Sequence, residues 1–217
     1  LAEKLSYVRI ELLSKYNVGE LGKRWYLDLA RHILRTFMLH VSIVKPLSEG
    51  GKLQLTSDMI GLEFALSSML AEGIPTKPPL KLDAAGMDYF ALRALRQLLF
   101  LDNDNLAKPE CTVDVPSLVV LHQILVRSPL PLPHELHGWQ ESQYVRFIEE
   151  HTDEEIWSVL EQGLKHWRAK TLSDIEDADD LGPPGAEKKR EKEQELKTGE
   201  MYVALASKVL QSARMGL

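Results

Sequence analysis

The sequence is poor in cysteine and in β-branched residues. Cys111 is the one cysteine among 217 residues, which excludes an internal disulfide framework and a zinc site built from several thiolates. Valine and isoleucine together occupy 22 positions, whereas leucine alone occupies 37. Because leucine keeps its rotamer freedom in a helix and β-branched residues do not, this imbalance favours helices over strands.

Long hydrophobic runs are also missing. The longest uncharged apolar stretches lie at 36–44 and 115–126, and both are shorter than the roughly 18 residues that a membrane span requires. We therefore expect no transmembrane segment. The chain begins Leu-Ala-Glu-Lys, which does not resemble a signal peptide, and we expect it to be a fragment of a longer protein.

Positive charge is not in excess. The formal net charge is −6, which argues against nucleic acid as a partner because phosphate binding needs a clustered positive field. Residues 173–200 hold ten acidic and five basic side chains, and the rest of the chain holds 22 and 21. The few apolar residues of 173–200 predict a charged, disordered loop. It would separate a helical bundle over 1–172 from a last helix, within 201–217, that packs back on that bundle.

What is abundant is leucine at helical spacing between groups of prolines. Proline lacks an amide donor and clashes with the preceding turn, so each group is expected to begin or end a helix. No strand-like alternation persists for more than a few residues. The pattern therefore predicts an all-α bundle of about eight helices. The predicted helices cover residues 2–16, 20–45, 53–72, 87–101, 117–127, 139–151, 153–170 and 201–215.

Two predicted helices carry a clear apolar stripe with a spacing of three or four residues, which places its members on one helical face. In the helix over 20–45 the stripe consists of Leu21, Trp25, Leu29, Ile33, Phe37, Val41 and Val44. In the helix over 53–72 it consists of Leu55, Met59, Leu62, Leu66 and Met69. Both stripes are predicted to face the core. By contrast, the proline-rich segment 130–136 is predicted to be an exposed loop.

Two short motifs are similar to catalytic signatures but fail their requirements. The segment 48–53, Ser-Glu-Gly-Gly-Lys-Leu, has Pro46 and Leu53 where a phosphate-binding loop needs a glycine and a serine or threonine. His134 and His137 are three residues apart, whereas a zinc protease needs two histidines four apart on one helix. We predict a turn and a loop histidine pair, respectively.

The remaining reactive side chains form no recognisable constellation. His32 and His40 lie eight residues apart and could share a helix face, but histidines in such positions are more often core-edge residues than bases, and Cys111 has no histidine near it in sequence. We therefore predict no catalytic residue, no cofactor and no bound metal, and we do not expect an enzyme. A helical enzyme or regulatory domain with an unrecognised pocket, using His40 or His134, remains the alternative.

Residues 40–53 carry the most specific pattern, His-Val-Ser-Ile-Val-Lys-Pro-Leu-Ser-Glu-Gly-Gly-Lys-Leu. This motif closely resembles the C-terminal region of the fifth subunit of the conserved oligomeric Golgi complex. That family has His-x-Ser, two apolar residues and Arg-Pro-Leu-Gly-Glu-Gly-Gly-Lys. Here Lys45 replaces the arginine and Ser48 replaces the first glycine. Lys45 keeps the charge but lacks the planar fork of arginine.

The resemblance continues through 58–66, 92–100, 127–133, 139–147 and the last helix, so it covers most of 37–217. It implies a bundle of the helical-rod tethering type at the end of a longer rod. It also implies a vesicle-tethering role in retrograde transport within the Golgi, by protein–protein contacts, at the cytoplasmic face of the membrane and peripheral to it. The implied partners are other subunits of the complex, above all the seventh, with SNARE and Rab proteins as further candidates.

The family motif is predicted to be an architectural turn that acts as a hinge between two core helices, because a proline and paired glycines lie between two long apolar stripes. Its residues are Lys45, Pro46, Leu47, Glu49, Gly50, Gly51 and Lys52.

Overall fold

A computed structural model describes residues 2–15, 20–73, 79–180 and 186–215. All regular structure in these residues is helical, so the all-α prediction is confirmed. In chain order the α-helices are α1 (Ala2–Tyr7), α2 (Glu20–Ser42), α3 (Glu49–Gly73), α4 (Met87–Leu98), α5 (Asn103–Leu106), α6 (Pro109–Thr112), α7 (Ser117–Val126), α8 (Pro133–His137), α9 (Glu141–Glu150), α10 (Asp153–Asp180) and α11 (Ala186–Met215). A π-helical turn (Val8–Leu12) and two 3₁₀ turns (Leu13–Lys15 and Leu82–Ala85) complete the helical structure.

The chain divides into two compact structural units. The first unit comprises residues 1–41, 48–100 and 114–116, and the second comprises 42–47, 101–113 and 117–217. The chain leaves the first unit at the end of α2 and returns to it at the start of α3. None of the helices in the described part of the chain combines the length and the hydropathy that a membrane span needs.

In the first unit, α2 buries a different face from the one that the sequence predicts. The buried row is Tyr26, Ala30, Leu34, Met38 and Val41. In the predicted stripe Val41 alone is buried; Leu29, Ile33 and Phe37 are half-buried, and the rest are exposed. Both rows have the spacing of a helix face, and the buried row is offset by one residue from the predicted stripe over most of its length. Periodicity alone therefore does not indicate which of the two rows is buried.

For α3 the predicted stripe is correct. Met59, Leu62, Leu66 and Met69 are buried, and Leu55 is half-buried. The helix begins at Glu49, four residues before the predicted start. An ion pair between Glu63 of α3 and Arg96 of α4 joins the two helices at 2.5 Å.

The second unit is built around α7 and the pair α10–α11. Eight consecutive residues of α7, from Val119 to Val126, are buried, as expected for a helix that is apolar on all sides. Two ion pairs, Arg168–Glu200 and Arg214–Glu154, join α10 to α11. The start of α10 pairs with the end of α11, and the middle of α10 with the middle of α11, so the two helices are antiparallel.

The predicted disordered loop over 173–200 is not found in the described residues. Residues 173–180 extend α10 and residues 186–200 form the first half of α11, while 181–185 lie outside the described residues. Glutamate, lysine and arginine are strong helix formers, and extending an anchored helix costs far less than nucleating one. Across the pair, Lys192 lies 3.9 Å from Asp174 and also bonds Glu195.

The proline-rich segment 130–136 is also not the exposed loop that the sequence predicts. Leu130, Leu132 and Pro133 are buried, and α8 begins at Pro133. Proline suits the first position of a helix, where its missing N–H is not needed. The N–H of Leu132 donates instead to the Glu135 carboxylate at 2.6 Å, which fixes the start of the helix.

Candidate functional site

Lys45 of the family motif anchors the end of a helix in the second unit. Its Nζ donates to the carbonyl oxygens of Leu125 at 3.3 Å, Ser128 at 2.9 Å and Leu130 at 2.6 Å. These carbonyls lie at the C-terminus of α7 and in the turn after it, where the last carbonyls lack intrahelical partners and carry partial negative charge. An ammonium has three N–H donors, so the three carbonyls satisfy it fully.

Partial burial lowers the pKa of Lys45, and the nearby Glu135 carboxylate partly offsets this effect by favouring the charged form. The three carbonyls do not form the planar fork-to-fork pair at which arginine excels. Lysine at this position, where the family typically has arginine, is therefore well matched to its surroundings.

The second half of the motif lies in the first unit and is helical, so the predicted turn is shorter than expected. Glu49, Gly50, Gly51 and Lys52 form the first turn of α3. Ser48 precedes them as a cap, because its Oγ accepts the N–H of Gly51 at 3.1 Å and its carbonyl accepts the N–H of Lys52 at 2.9 Å. The glycines therefore do not make the sharp turn predicted for them, and neither has a positive φ.

The other motif residues make few contacts. Pro46 is exposed and Leu47 is half-buried. Lys52 forms an ion pair with Glu49 one turn away at 2.6 Å. Such a pair contributes little to stability where one of its side chains is solvated. Among the motif residues that the structure describes, Lys45 thus makes the most extensive long-range polar contacts.

A buried polar cluster lies next to Lys45 and was not predicted. Ser42 Oγ is 2.8 Å from His122 Nδ1, and Tyr144 Oη is 2.9 Å from His122 Nε2. Gln123 donates to the Ser42 carbonyl at 3.1 Å. All four side chains have an exposed fraction of zero. One feature of the sequence could have indicated this cluster. His122 and Gln123 lie in an otherwise apolar helix, and polar side chains that are buried need hydrogen-bond partners.

The burial and the pKa values of the cluster argue against a catalytic role. Desolvation, with a smaller contribution from the nearby His134, lowers the pKa of His122 to about 3, so its imidazole is neutral at pH 7. Burial also raises the pKa of Tyr144. A Ser–His pair in hydrolases is oriented by a carboxylate and faces a substrate cleft. Here the second ring nitrogen of His122 is hydrogen-bonded to the Tyr144 hydroxyl instead, and the cluster is closed to solvent. Within the second unit, the cluster therefore ties Ser42 to α7 and α9 as a structural element.

The histidines and the cysteine singled out from the sequence do not come together. His134 is buried beside Tyr144, with 6.1 Å between ring centroids, whereas His137 is exposed and stacks on Trp139 at 4.6 Å. His32 and Cys111 are exposed, and His40 is half-buried. In the described ranges no group of three potential metal ligands converges.

Replacing Lys45 tests its role as a helix anchor. We expect Lys45→Met to lower the free energy of unfolding by about 1 to 2 kcal/mol, because the carbonyls at the end of α7 lose a charged donor while the methylene packing is kept. Urea denaturation at pH 7.5 measures it. Lys52→Met, the matched control within the same motif, should change stability by less than about 0.5 kcal/mol. Equal effects of the two substitutions would contradict the anchoring role.

Comparison with known proteins gives a consistent result. No family model matches the chain, and no solved structure matches it. The chain is similar to proteins described as conserved oligomeric Golgi complex subunit 5, from Arabidopsis thaliana (30% identical over 148 residues), Mus musculus (25% over 138) and Drosophila melanogaster (25% over 161). The aligned residues make up 67%, 62% and 72% of this chain.

Those aligned residues correspond to 17%, 16% and 20% of the lengths of the three relatives, so the chain spans about a sixth to a fifth of each. Its all-α structure agrees with the fold that the resemblance implies. The resemblance predicted from the motif is therefore confirmed: this chain is similar to a region of subunit 5 of the conserved oligomeric Golgi complex.

Proposed function

We propose that the chain is part of a subunit of a Golgi vesicle-tethering complex and acts through protein–protein contacts in retrograde transport within the Golgi. The observation that carries this proposal is the similarity over 148 residues to a protein described as subunit 5 of the conserved oligomeric Golgi complex. The all-α architecture supports it, because helical faces are surfaces on which other helices dock.

A non-catalytic role is part of the same proposal. The most chemically suggestive cluster, Ser42–His122–Tyr144, is fully buried, and a catalytic group needs access to its substrate. In the described part of the chain, neither His40 nor His134, on which an enzymatic alternative would depend, belongs to a group of three potential metal ligands. These observations favour a structural role for the polar groups and an interaction role for the surface.

The proposed partners are the other subunits of the complex, with the seventh subunit foremost and SNARE and Rab proteins as further partners. The proposed location is the cytoplasmic face of the Golgi membrane, with peripheral attachment through the complex.

The test is affinity purification of the full protein, carrying a tag, from cells in which it replaces the natural copy. We expect the other subunits of the complex to be recovered in comparable molar amounts, and the tag to co-localise with Golgi markers. Quantitative mass spectrometry measures the recovery. A folded, tagged protein that recovers none of these subunits would contradict the proposal, and recovery of every subunit except the seventh would contradict the choice of foremost partner.

A further inference from the structure

Four aromatic rings form a continuous row on the surface of the second unit. The His137 ring stacks on Trp139 with 4.6 Å between the ring centroids, and the Trp139 ring lies 5.2 Å from that of Phe147. Phe147 in turn stacks on His151 at 4.0 Å. His137 and His151, at the two ends, are exposed, and the two central rings are half-buried. These four residues, the ring row, therefore present aromatic surface to solvent.

The ring row is fixed in place by its contacts with the rest of the unit. The centroid of the Trp139 ring lies 6.4 Å from that of Tyr144, which is fully buried and hydrogen-bonded to His122. At the other end, Nδ1 of His151 lies 2.9 Å from the carbonyl oxygen of Phe147. Because these rings are positioned before a partner arrives, binding to them costs little side-chain entropy.

The segment that carries the ring row is strongly acidic. Residues 134–155 hold seven acidic side chains and one basic side chain, Arg146. Arg146 pairs with Glu150 at 2.8 Å, and Arg214 of α11 reaches Glu154 at 3.2 Å. These ion pairs compensate only part of the negative charge, so the surface around the rings favours a positively charged partner.

Two of the acidic side chains lie next to the ring row in sequence. Glu141, the first residue of α9, follows Trp139 by two residues, and Asp153, the first residue of α10, follows His151 by two. Both side chains are exposed, and neither has an ion-pair partner in the described part of the chain. Their carboxylates are therefore available to a cation of another molecule.

Rings and carboxylates side by side favour one side chain, that of arginine. A cation is attracted to the face of an aromatic ring, and a guanidinium can stack flat on a ring while its N–H donors bind a carboxylate at two points. Lysine supplies the charge but neither the planar stacking surface nor the fork of donors. Nucleic acid and an anionic membrane are disfavoured, because both require a positively charged surface on the protein.

We propose that the ring row and the acidic side chains beside it form the docking surface for an arginine-containing, basic segment of another subunit in the complex. The proposal deepens the proposed function and rests on it. Arginine side chains of that segment stack on the exposed rings of His137 and His151. Their guanidinium groups pair with neighbouring carboxylates, including those of Glu141 and Asp153.

The test uses the full protein, tagged and expressed with the other subunits of the complex. The double variant E141K/D153K reverses two charges beside the ring row, and we expect it to recover at least about tenfold less of one subunit, with unchanged circular dichroism. E187K/E191K is the matched control, because it reverses two exposed charges in α11 and changes the net charge equally. It should recover the complex at the unchanged level. Full recovery by E141K/D153K, or equal losses in the two variants, would overturn the proposal.

A photo-reactive phenylalanine analogue in place of His137 then identifies the occupant, because the analogue keeps a ring at the end of the row. We expect its cross-link to lie in an arginine-containing segment of another subunit. Replacing those arginines by lysine should lower recovery of that subunit at least about threefold. A cross-link to a second copy of this chain, to lipid or to a segment without arginine would contradict the proposal, as would full recovery after the replacement by lysine.

A direct binding measurement separates this proposal from the proposed function. The probe is a short fluorescein-labelled peptide in which arginine and serine alternate, and its binding to the full protein is followed by fluorescence anisotropy. We expect E141K/D153K to bind it at least about tenfold more weakly than the unchanged protein and E187K/E191K do. If the unchanged protein recovers no subunit, the proposed function has failed. If it recovers the subunits but does not bind the peptide, the arginine-binding surface alone has failed.

Discussion

Acidification from pH 7.5 to 4.5 is expected to remove roughly 2–3 kcal/mol of folding free energy through His122 alone. The folded protein holds the pKa of this histidine at about 3 because the ring is desolvated, whereas an unfolded chain restores a value near 6.5. Between these two values the unfolded state binds one more proton than the folded state. Stability contributed by neutral His122 is therefore present above about pH 6.5 and is lost as the pH falls towards 3.

The measurement is urea denaturation at both pH values for the unchanged protein and for His122→Gln. The variant is less stable at pH 7.5, because a glutamine cannot bridge Ser42 and Tyr144 with the geometry of the ring. Its loss of stability on acidification should nevertheless be smaller than that of the unchanged protein by the same 2–3 kcal/mol. His137→Gln replaces an exposed histidine and leaves the buried cluster intact. Parallel pH dependences of the unchanged protein and His122→Gln would show that the ring is not held neutral.

The importance of His122 could have been predicted from the sequence, but its partners could not. A histidine and a glutamine in an otherwise apolar helix indicate a buried polar pair, because each buried donor or acceptor needs a partner. Ser42 and Tyr144 lie 80 and 22 residues away, and no local pattern connects them to His122. The same holds for Lys45, which bonds carbonyls 80 to 85 residues further along the chain.

The errors in the predicted helices have a common physical cause. In α2 two apolar rows lie side by side, and the chain buries Tyr26 and Leu34 rather than Trp25 and Ile33; only tertiary packing decides between them. In α10 and α11 the charged composition indicated disorder, although the glutamates, lysines and arginines of the segment favour the extension of a helix that is already anchored. The all-α fold class and most helix positions follow from the local sequence pattern. Which face of a helix is buried depends instead on neighbouring residues that are distant in sequence.

Gly199 lies in the segment that the sequence assigned to a loop, and its packing leads to the second large prediction. The residue is buried in the middle of α11, and a Cβ added there would overlap the ring of Trp167 on α10. Trp167 is itself buried, with 6% of its surface exposed, so its ring has little room to move. Glycine is disfavoured in a helix interior by about 1 kcal/mol relative to alanine, and here the close contact between the two helices compensates for this cost.

We therefore expect Gly199→Ala to destabilise the protein by about 2–3 kcal/mol, since overpacking outweighs the gain in helix propensity. Gly61→Ala is the matched control: Gly61 is exposed in α3 and nothing lies within 4 Å of an added Cβ, so it should stabilise by about 0.5–1 kcal/mol. Urea denaturation measures both.

A double-mutant cycle identifies the cause of the Gly199 effect. Trp167→Leu removes the ring that the new methyl group would meet, so Gly199→Ala should cost much less in that background than in the unchanged protein. If Gly199→Ala costs the same in both backgrounds, contact with Trp167 is not what requires glycine. A reduced cost would instead establish that close packing of α11 on the Trp167 ring requires glycine at this position. Exposed pairs such as Arg168–Glu200 contribute too little to hold the helices together.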